Sequence, residues 1–310
     1  MGGASSKDKV MPLPSHPVWR SGLFVPVNVE RFLAKASSRG ADVIQLDLED
    51  SIAPSDKESA RKAVPAAVER IRREGASDIL IRINQPLELA VRDLEAAVLP
   101  GVNGFMITKA QGPDHLRLLD ELVSRLEAQR GIPDRTIRFM VLIEGPGPLA
   151  NAQEIARATP RNLGLSLGAE DYATEMGGEP TAETLLLPKQ QVLQAARTHG
   201  LMPMGTIGTV ADYTDLVEYE RVVRLSASYG FVGASAIHPA QVPVLNRGFS
   251  PSPEAVEKAE KIVRLDKEAA ASNRGSWSLD GKMIDIPIVQ RAEALLARAH
   301  AIAERAKRAG

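Results

Sequence analysis

The chain has 310 residues, with 38 basic and 39 acidic side chains and no cysteine. Balanced charge argues against a nucleic-acid partner, and the missing cysteine excludes disulfides, thiolate catalysis and cysteine–zinc sites. No apolar run reaches membrane-spanning length, and the N-terminal M-G-G-A-S-S-K-D-K lacks the apolar core of a signal peptide, so a cytoplasmic protein without membrane contacts is expected. Gly2 with Ser6 formally fits a myristoylation pattern, but residues 1–19 read as a flexible leader.

After the leader, Ser21 to Val27 reads as a first strand and Val29 to Arg39 as a helix. Asp42 to Leu48 is a second strand. Ser55 and Glu58 fit a capping box, opening a helix to about Glu74 with a kink expected at Pro65. Asp78 to Ile83 and Gly104 to Thr108 are the next strands, each followed by a helix, Leu87 to Val98 and Asp114 to Gln129. Ile137 to Ile143 and Asn162 to Leu167 are strands five and six around a helix from Leu149 to Ala158. Thr181 to Thr198 is helical, with an interruption at Pro188. Leu201 to Ile207 is a strand, Asp212 to Ser228 a helix, Gly233 to Ile237 the eighth strand, and Pro253 to about Ala271 the eighth helix. The remainder, 272–310, reads as a loop without a strand and a terminal helix from Pro287.

Eight strands alternating with helices over roughly 250 residues predict a (β/α)8 TIM barrel spanning residues 20–271, with a C-terminal helical extension. The strands are dense in Val, Ile and Leu and barely alternate, as strands covered on both faces should. A doubly wound sheet is the main alternative. Gly145-Pro146-Gly147-Pro148-Leu149-Ala150 fits a dinucleotide fingerprint, but its two prolines remove amides that would face a pyrophosphate, so it reads as a tight barrel turn. The extension reads as a lid or as an arm on a neighbouring subunit, because Trp277, Met283, Ile284, Ile286 and Ile288 are too apolar for a free tail.

Candidate site residues collect at the strand ends, where a barrel of this kind places its chemistry. Strands five and six end at Glu144 and at Glu170-Asp171. Their connection makes them parallel, so both acids emerge side by side and would repel unless a cation stood between them. Oxygen ligands without cysteine or clustered histidine favour Mg²⁺, with Mn²⁺ possible, over Zn²⁺. Helix capping or simple solvation of these acids is the plainer alternative. The second strand adds Asp47, Glu49 and Asp50, the third Arg82 and Asn84, the fourth Lys109 and the eighth His238, with Arg20 just before the first. Alternation points Asp47 and Glu49 to one side, and ion pairs with Arg82 or Lys109 are the structural alternative to catalysis. A metal-binding carboxylate pair and an arginine suit enolate chemistry on a keto acid.

In this order the segments R-S-G-L-F-V-P, G-A-D-V-I-Q-L-D-L-E-D-S-I-A-P, I-R-I-N, L-I-E, G-A-E-D, A-I-H-P-A-Q and L-D-G-K-M-I-D-I-P resemble the HpcH/HpaI aldolase and citrate lyase β-subunit superfamily, specifically its citrate-lyase-β-like CoA-ester lyases. The resemblance runs from Arg20 to about Arg298. It implies a Mg²⁺-dependent TIM barrel, often trimeric or otherwise homo-oligomeric, that cleaves or forms malyl-, citramalyl- or citryl-CoA thioesters. It implies Glu144 and Asp171 as metal ligands and Arg82 as the contact to a carboxylate or thioester oxygen, with Arg20 beside it. Glu49 and Asp50 would organise the site, Glu49 as a catalytic residue through a metal-bound water and Asp50 toward the substrate; Lys109, from its place at the same rim, is expected to bind substrate as well. Asp285 would act in proton transfer over a neighbouring subunit's site. The chain departs from the pattern at Val27, at Leu187-Pro188-Lys189-Gln190, at Gly205 and at Gly145. These changes bear on CoA-end recognition and on the acyl substrate. A Mg²⁺ aldolase of free pyruvate-type acids, a thioester hydrolase and a non-catalytic acyl-CoA-binding subunit are the rival functions.

Overall fold

The computed structural model describes residues 16–208, 214–271, 277–279 and 281–309. The order begins β1 (Ser21–Pro26), α1 (Glu30–Ala36), β2 (Val43–Asp47), α2 (Lys57–Glu74), β3 (Asp78–Ile83) and α3 (Leu87–Ala97). It continues β4 (Gly104–Ile107), α4 (Pro113–Gln129), β5 (Arg138–Ile143), the short α5 (Pro146–Ala150) and α6 (Ala152–Ala156), and β6 (Asn162–Leu167). Then come α7 (Ala169–Met176), α8 (Ala182–Thr198), β7 (Met202–Met204), α9 (Leu216–Tyr229), β8 (Ala234–Ala236), α10 (Gln241–Gly248) and α11 (Pro253–Ala271). A hairpin of β9 (Trp277–Leu279) and β10 (Lys282–Ile284) leads into α12 (Ile286–Ala309).

β1 to β8 are all parallel in the order β7-β6-β5-β4-β3-β2-β1-β8, and a parallel bridge from Met204 to Gly233 closes the ring. The fold is the expected TIM barrel. Side-chain parity divides its core in two. Outward residues such as Ile44, Leu46, Ile81, Phe105, Val141 and Leu165 pack under the helices, while Val43, Leu80, Met106, Met140 and Met204 fill the interior. Apolar burial on both faces is why the strands show little alternation in sequence.

The N-terminal end of the barrel is closed by ion pairs. Trp19 donates its indole N–H to Asp78 at 2.6 Å, and Arg20 binds Asp42 at 2.8 Å. Arg305 of α12 reaches the same two acids, Asp78 at 2.8 Å and Asp42 at 3.2 Å. Val18 and Trp19 are buried, so ordered packing starts ahead of the boundary expected at Arg20.

Several local expectations are corrected. Pro188 lies inside an unbroken helix and does not interrupt it, and the helix around Pro65 is likewise continuous. Ser55 is no N-cap: Pro54–Asp56 form a 3₁₀ turn, and the Ser55 hydroxyl bonds Asp56 instead. The extension does contain strands, β9 and β10, and its terminal helix packs along α11 around Ile262, Ile284 and Val289. Met283 and Ile286 stay exposed, while the side chain of Trp277 lies outside the described residues.

β5 and β6 carry the two acids singled out in sequence, and Arg161 anchors both strands from below. Its buried guanidinium donates to Glu127 at 2.6 Å and to the Ile137 carbonyl at 2.9 Å, and it also pairs with Asp120. Glu127, equally buried, accepts from the Ile137 amide at 2.8 Å. Arg161→Met should cost about 3–5 kcal/mol by leaving Glu127 without its counter-charge. Urea denaturation measures this, and a loss under about 1 kcal/mol would show the network to be dispensable.

Candidate active site

The rim at the C-terminal ends of the strands is built on a lateral pair. In the β2–β3 register Asp47 stands beside Arg82, and both point inward. Arg82 therefore meets Asp47 through two parallel bonds, Nε to Oδ1 and Nη2 to Oδ2, each 2.7 Å. Its Nη1 reaches Glu49 at 3.0 Å and Asp50 at 3.4 Å, and the guanidinium lies 4.7 Å over the Phe24 ring. Burial opposes the Arg82 charge, but Asp47 and Glu49 more than offset it and raise the pKa. Burial likewise works against the Asp47 carboxylate, and Arg82 holds it below the usual range. The Asp47 carboxylate also accepts the amides of Glu49 and Ser51, fixing the loop after β2. Lys57 secures that loop through the Leu48 and Glu49 carbonyls, at 2.8 and 2.6 Å.

Glu144 follows β5 and is 6 % exposed, whereas Asp171, in the first turn of α7, is 47 % exposed at its side chain. Burial, then the charges of Asp171 and Glu49, push the Glu144 carboxyl up to about 8. Two features of the backbone serve this acid. A Cβ on Gly168 would stand 2.5 Å from the Glu144 Cγ, so only glycine leaves room there. Lys109 adopts the left-handed φ of 47°, unusual for a side-chain-bearing residue, and its amide donates to Glu144 Oε2 at 3.1 Å. The Lys109 ammonium binds Glu49 at 2.7 Å and stands 3.7 Å from both Asp50 and Asp171. Burial pushes Glu49 up despite Arg82 and Lys109.

The structure thus brings Glu49, Asp50, Arg82, Lys109, Glu144 and Asp171 to one rim. Arg20 does not join them: it lies at the opposite end of the strands, held by Asp42, and this corrects the expectation that it stands beside Arg82. Asp285 is an exposed cap of α12, accepting the Ile288 amide at 3.3 Å. Asn84 is buried against Asp93 and the Leu48 carbonyl, a structural role. His238 takes the Ala240 amide in the turn after β8.

Two cavities meet here. The first, about 310 Å³, runs into the barrel mouth and is lined by Glu144, Asp171, Arg82 and Lys189 over a floor that includes Met106 and Met140. The second, about 510 Å³, lies between β1 and α1, with Arg31, Phe32, Lys35 and Arg39 along one side. Phe24 and Arg82 line both. The basic side of this second cavity escapes a strand-end search, because its residues belong to a helix and are ordinary surface types in sequence.

The buried Glu144 and the half-exposed Asp171 fit a hard divalent cation. They supply oxygen donors, repel one another and leave open space for water or substrate oxygens, as a Mg²⁺ site with few protein ligands requires. A carboxyl raised from 4.5 to about 8 holds a proton that the unfolded chain has shed across that window. Without added metal, stability should therefore fall as pH rises from about 4.5 to about 8, and Glu144→Gln should remove that slope. Thermal melts of both proteins across this range check it, and parallel profiles would refute the raised Glu144.

The chain matches the HpcH/HpaI aldolase/citrate lyase family over residues 20–239. It is 32% identical over 285 residues to the citrate lyase subunit beta of Leuconostoc mesenteroides subsp. cremoris, covering 91% of this chain and 93% of that protein. It is also 32% identical over 314 residues to an L-malyl-CoA/beta-methylmalyl-CoA lyase of Cereibacter sphaeroides, covering 94% and 97%. Among solved structures, CitE of Mycobacterium tuberculosis in complex with magnesium, acetoacetate and coenzyme A superposes with a TM-score of 0.71 at 29% identity, covering 93% of this chain and 100% of that one. By the extent of these matches, the chain belongs to the HpcH/HpaI aldolase/citrate lyase family.

Proposed function

We propose that this chain is a Mg²⁺-dependent carbon–carbon lyase of a 3-hydroxyacyl-CoA thioester of the malyl-, citramalyl- or citryl-CoA type, acting by retro-Claisen cleavage or its reverse. The observation that carries this reading is the position of Arg82, in the wall shared by the carboxylate cavity and the basic, aromatic one. A thioester joins a small acid to a long anionic carrier, and these adjoining cavities suit its two halves. The exposed Phe32, with Arg31 4.8 Å over its ring, offers a base-stacking and phosphate-binding surface for the carrier. The CitE relative was solved in complex with magnesium, acetoacetate and coenzyme A, which supports a site for a metal, a small acid and a CoA carrier.

Glu144 and Asp171 would hold the cation. When bound, it supplies Lewis-acid polarisation of the 2-oxo or 2-hydroxy acid group. Asp47 fixes the guanidinium plane of Arg82 and leaves it an unused N–H for the thioester oxygen. Cleavage removes the proton of the substrate hydroxyl and breaks the adjacent C–C bond. The bonding pair passes to the thioester as an enolate, whose oxygen faces Arg82 and whose carbon then takes a proton. Glu49 and Lys109 hold one another at 2.7 Å and keep the rim in register around these atoms.

Turnover of malyl-, citramalyl- and citryl-CoA with Mg²⁺, followed by mass spectrometry beside a panel of free hydroxy-keto acids, tests the class. Glu144→Gln and Asp171→Asn should each abolish Mg²⁺-dependent turnover with the fold intact. Arg82→Lys should lose about 2 kcal/mol of transition-state stabilisation, since lysine cannot reproduce the planar fork. Turnover of the free acids alone would assign the aldolase instead.

Asp285 is exposed on its own chain, and the reading gives it a catalytic part over the site of a neighbouring copy in a homo-oligomer. Under this reading Asp285→Ala and Glu144→Gln, each inactive alone, should recover part of the activity when subunits are exchanged. No recovery with exchange verified would mean that the extension closes over its own barrel or that Asp285 is only the helix cap it is in the single chain.

A further inference from the structure

Lys189 is a cation in the wall of the carboxylate cavity for which the chemistry above has no use. It sits on α8 among the buried positions Leu185, Pro188, Val192, Ala195 and Ala196, where an amphipathic helix ordinarily carries an apolar side chain. It is 4 % exposed. Its ammonium donates to the carbonyls of Thr206 and Gly208, just past β7. Among the described residues no carboxylate lies within 4.0 Å of it. Glu170 is the acid that favours its charge, and Glu170 is exposed at the start of α7. Burial lowers the Lys189 pKa to about 8, which leaves the group charged at neutral pH.

An ammonium carries three N–H donors and two are taken, so one remains. Space remains beside it as well. Gly205 has a φ of 132° and presents no side chain, and a Cβ added there would find only Ser166 and Phe231, at 3.7 and 3.8 Å. The other cations of the rim are already matched, Arg82 by Asp47 and Lys109 by Glu49. A buried ammonium met only by carbonyls, with no carboxylate within 4.0 Å among the described residues, is costly, and a ligand carboxylate is a partner this cavity can admit.

We infer that Lys189 receives a second carboxylate of the substrate, so that the 2-oxo acid released or taken up is a dicarboxylate and not a simple 2-oxo monocarboxylate. The inference rests on the lyase reading and sharpens it. The first carboxylate and its neighbouring oxygen belong to the Glu144–Asp171 side of the cavity, and the substituent on the same carbon then faces the α8 wall. Citryl-CoA carries a carboxymethyl group there, whereas citramalyl-CoA carries a methyl.

The test is the ratio of kcat/KM for citryl-CoA over citramalyl-CoA in wild type, Lys189→Met, Lys189→Gln and Lys189→Arg. Wild type should favour citryl-CoA by about tenfold or more, and Lys189→Met and Lys189→Gln should lose that preference while citramalyl-CoA turnover changes by less than about threefold. Lys189→Arg should retain part of it. Calorimetric titration with malate against lactate in the presence of Mg²⁺ reads the same contrast without turnover, and a wild-type preference for malate should vanish in Lys189→Gln. An equal loss for both esters would overturn the inference and make Lys189 a clamp on residues 206–208. Wild-type turnover without a dicarboxylate preference would overturn it alone, whereas no turnover of any CoA ester would overturn the lyase reading as well.

Discussion

The rim depends on the lateral ion pair between Asp47 and Arg82. Parallel register puts the two residues side by side on adjacent strands, and inward parity turns both into an interior built largely of apolar side chains. Neither charge would be tolerated there alone. Paired through two 2.7 Å bonds, they form a rigid floor from which the other groups are set. Asp47 draws in the amides of the loop that carries Glu49 and Asp50, and Glu49 in turn holds Lys109. Lys109, bent into a left-handed conformation, offers its amide to Glu144. The chain of contacts thus runs across the ends of β2, β3, β4 and β5.

Much of this was legible in the sequence because it follows from periodicity. Apolar runs separated by helical segments sufficed for the barrel, and strand alternation put Asp47 and Glu49 on one side. The acids after strands five and six meet at one cavity because parallel neighbours must end at the same rim. Less local features were not legible. Ser55 matched a capping pattern, but a proline at position 54 favoured a 3₁₀ turn and moved the helix start to Lys57. The helices α7 and α10 are eight residues each, too short for a helical period to stand out from the connections around them. The β9–β10 hairpin consists of two three-residue strands, too short for an alternation to show. Lys189 did carry a signal, a charge on the apolar stripe of a helix, but the cavity it faces exists only in three dimensions.

Arg20 shows how adjacency in the chain misleads. It precedes β1, so it lies at the strand entrance, a full strand length from Arg82, which is close to the strand exit. What recruits it is Asp42, in the same position relative to β2, together with Arg305 from the far end of the sequence. The terminal helix is therefore part of the closure of its own barrel. Its last turns lock onto the N-terminal end, while Asp285 at its other end is exposed and caps the first turn.

The two ends of the barrel differ most in how their charges balance. At the closed end Arg20 and Arg305 are bonded to Asp42 and Asp78, with Trp19 sealing the middle, and the buried Arg298, which donates to the Val232 carbonyl, adds a further positive charge near Arg20 and Asp42. At the open end Asp47, Glu49, Asp50 and Asp171 each stand within 4.0 Å of Arg82 or Lys109, whereas Glu144 makes no such ion pair among the described residues. The deficit falls on Glu144, which is buried, faces Asp171 and has the weakest claim on either cation, so it holds its proton up to about 8. An apolar or better-paired residue there would give a more stable barrel. Under the proposed reading, a divalent cation held by Glu144 and Asp171 would replace that proton and supply the charge that this carboxylate pair lacks.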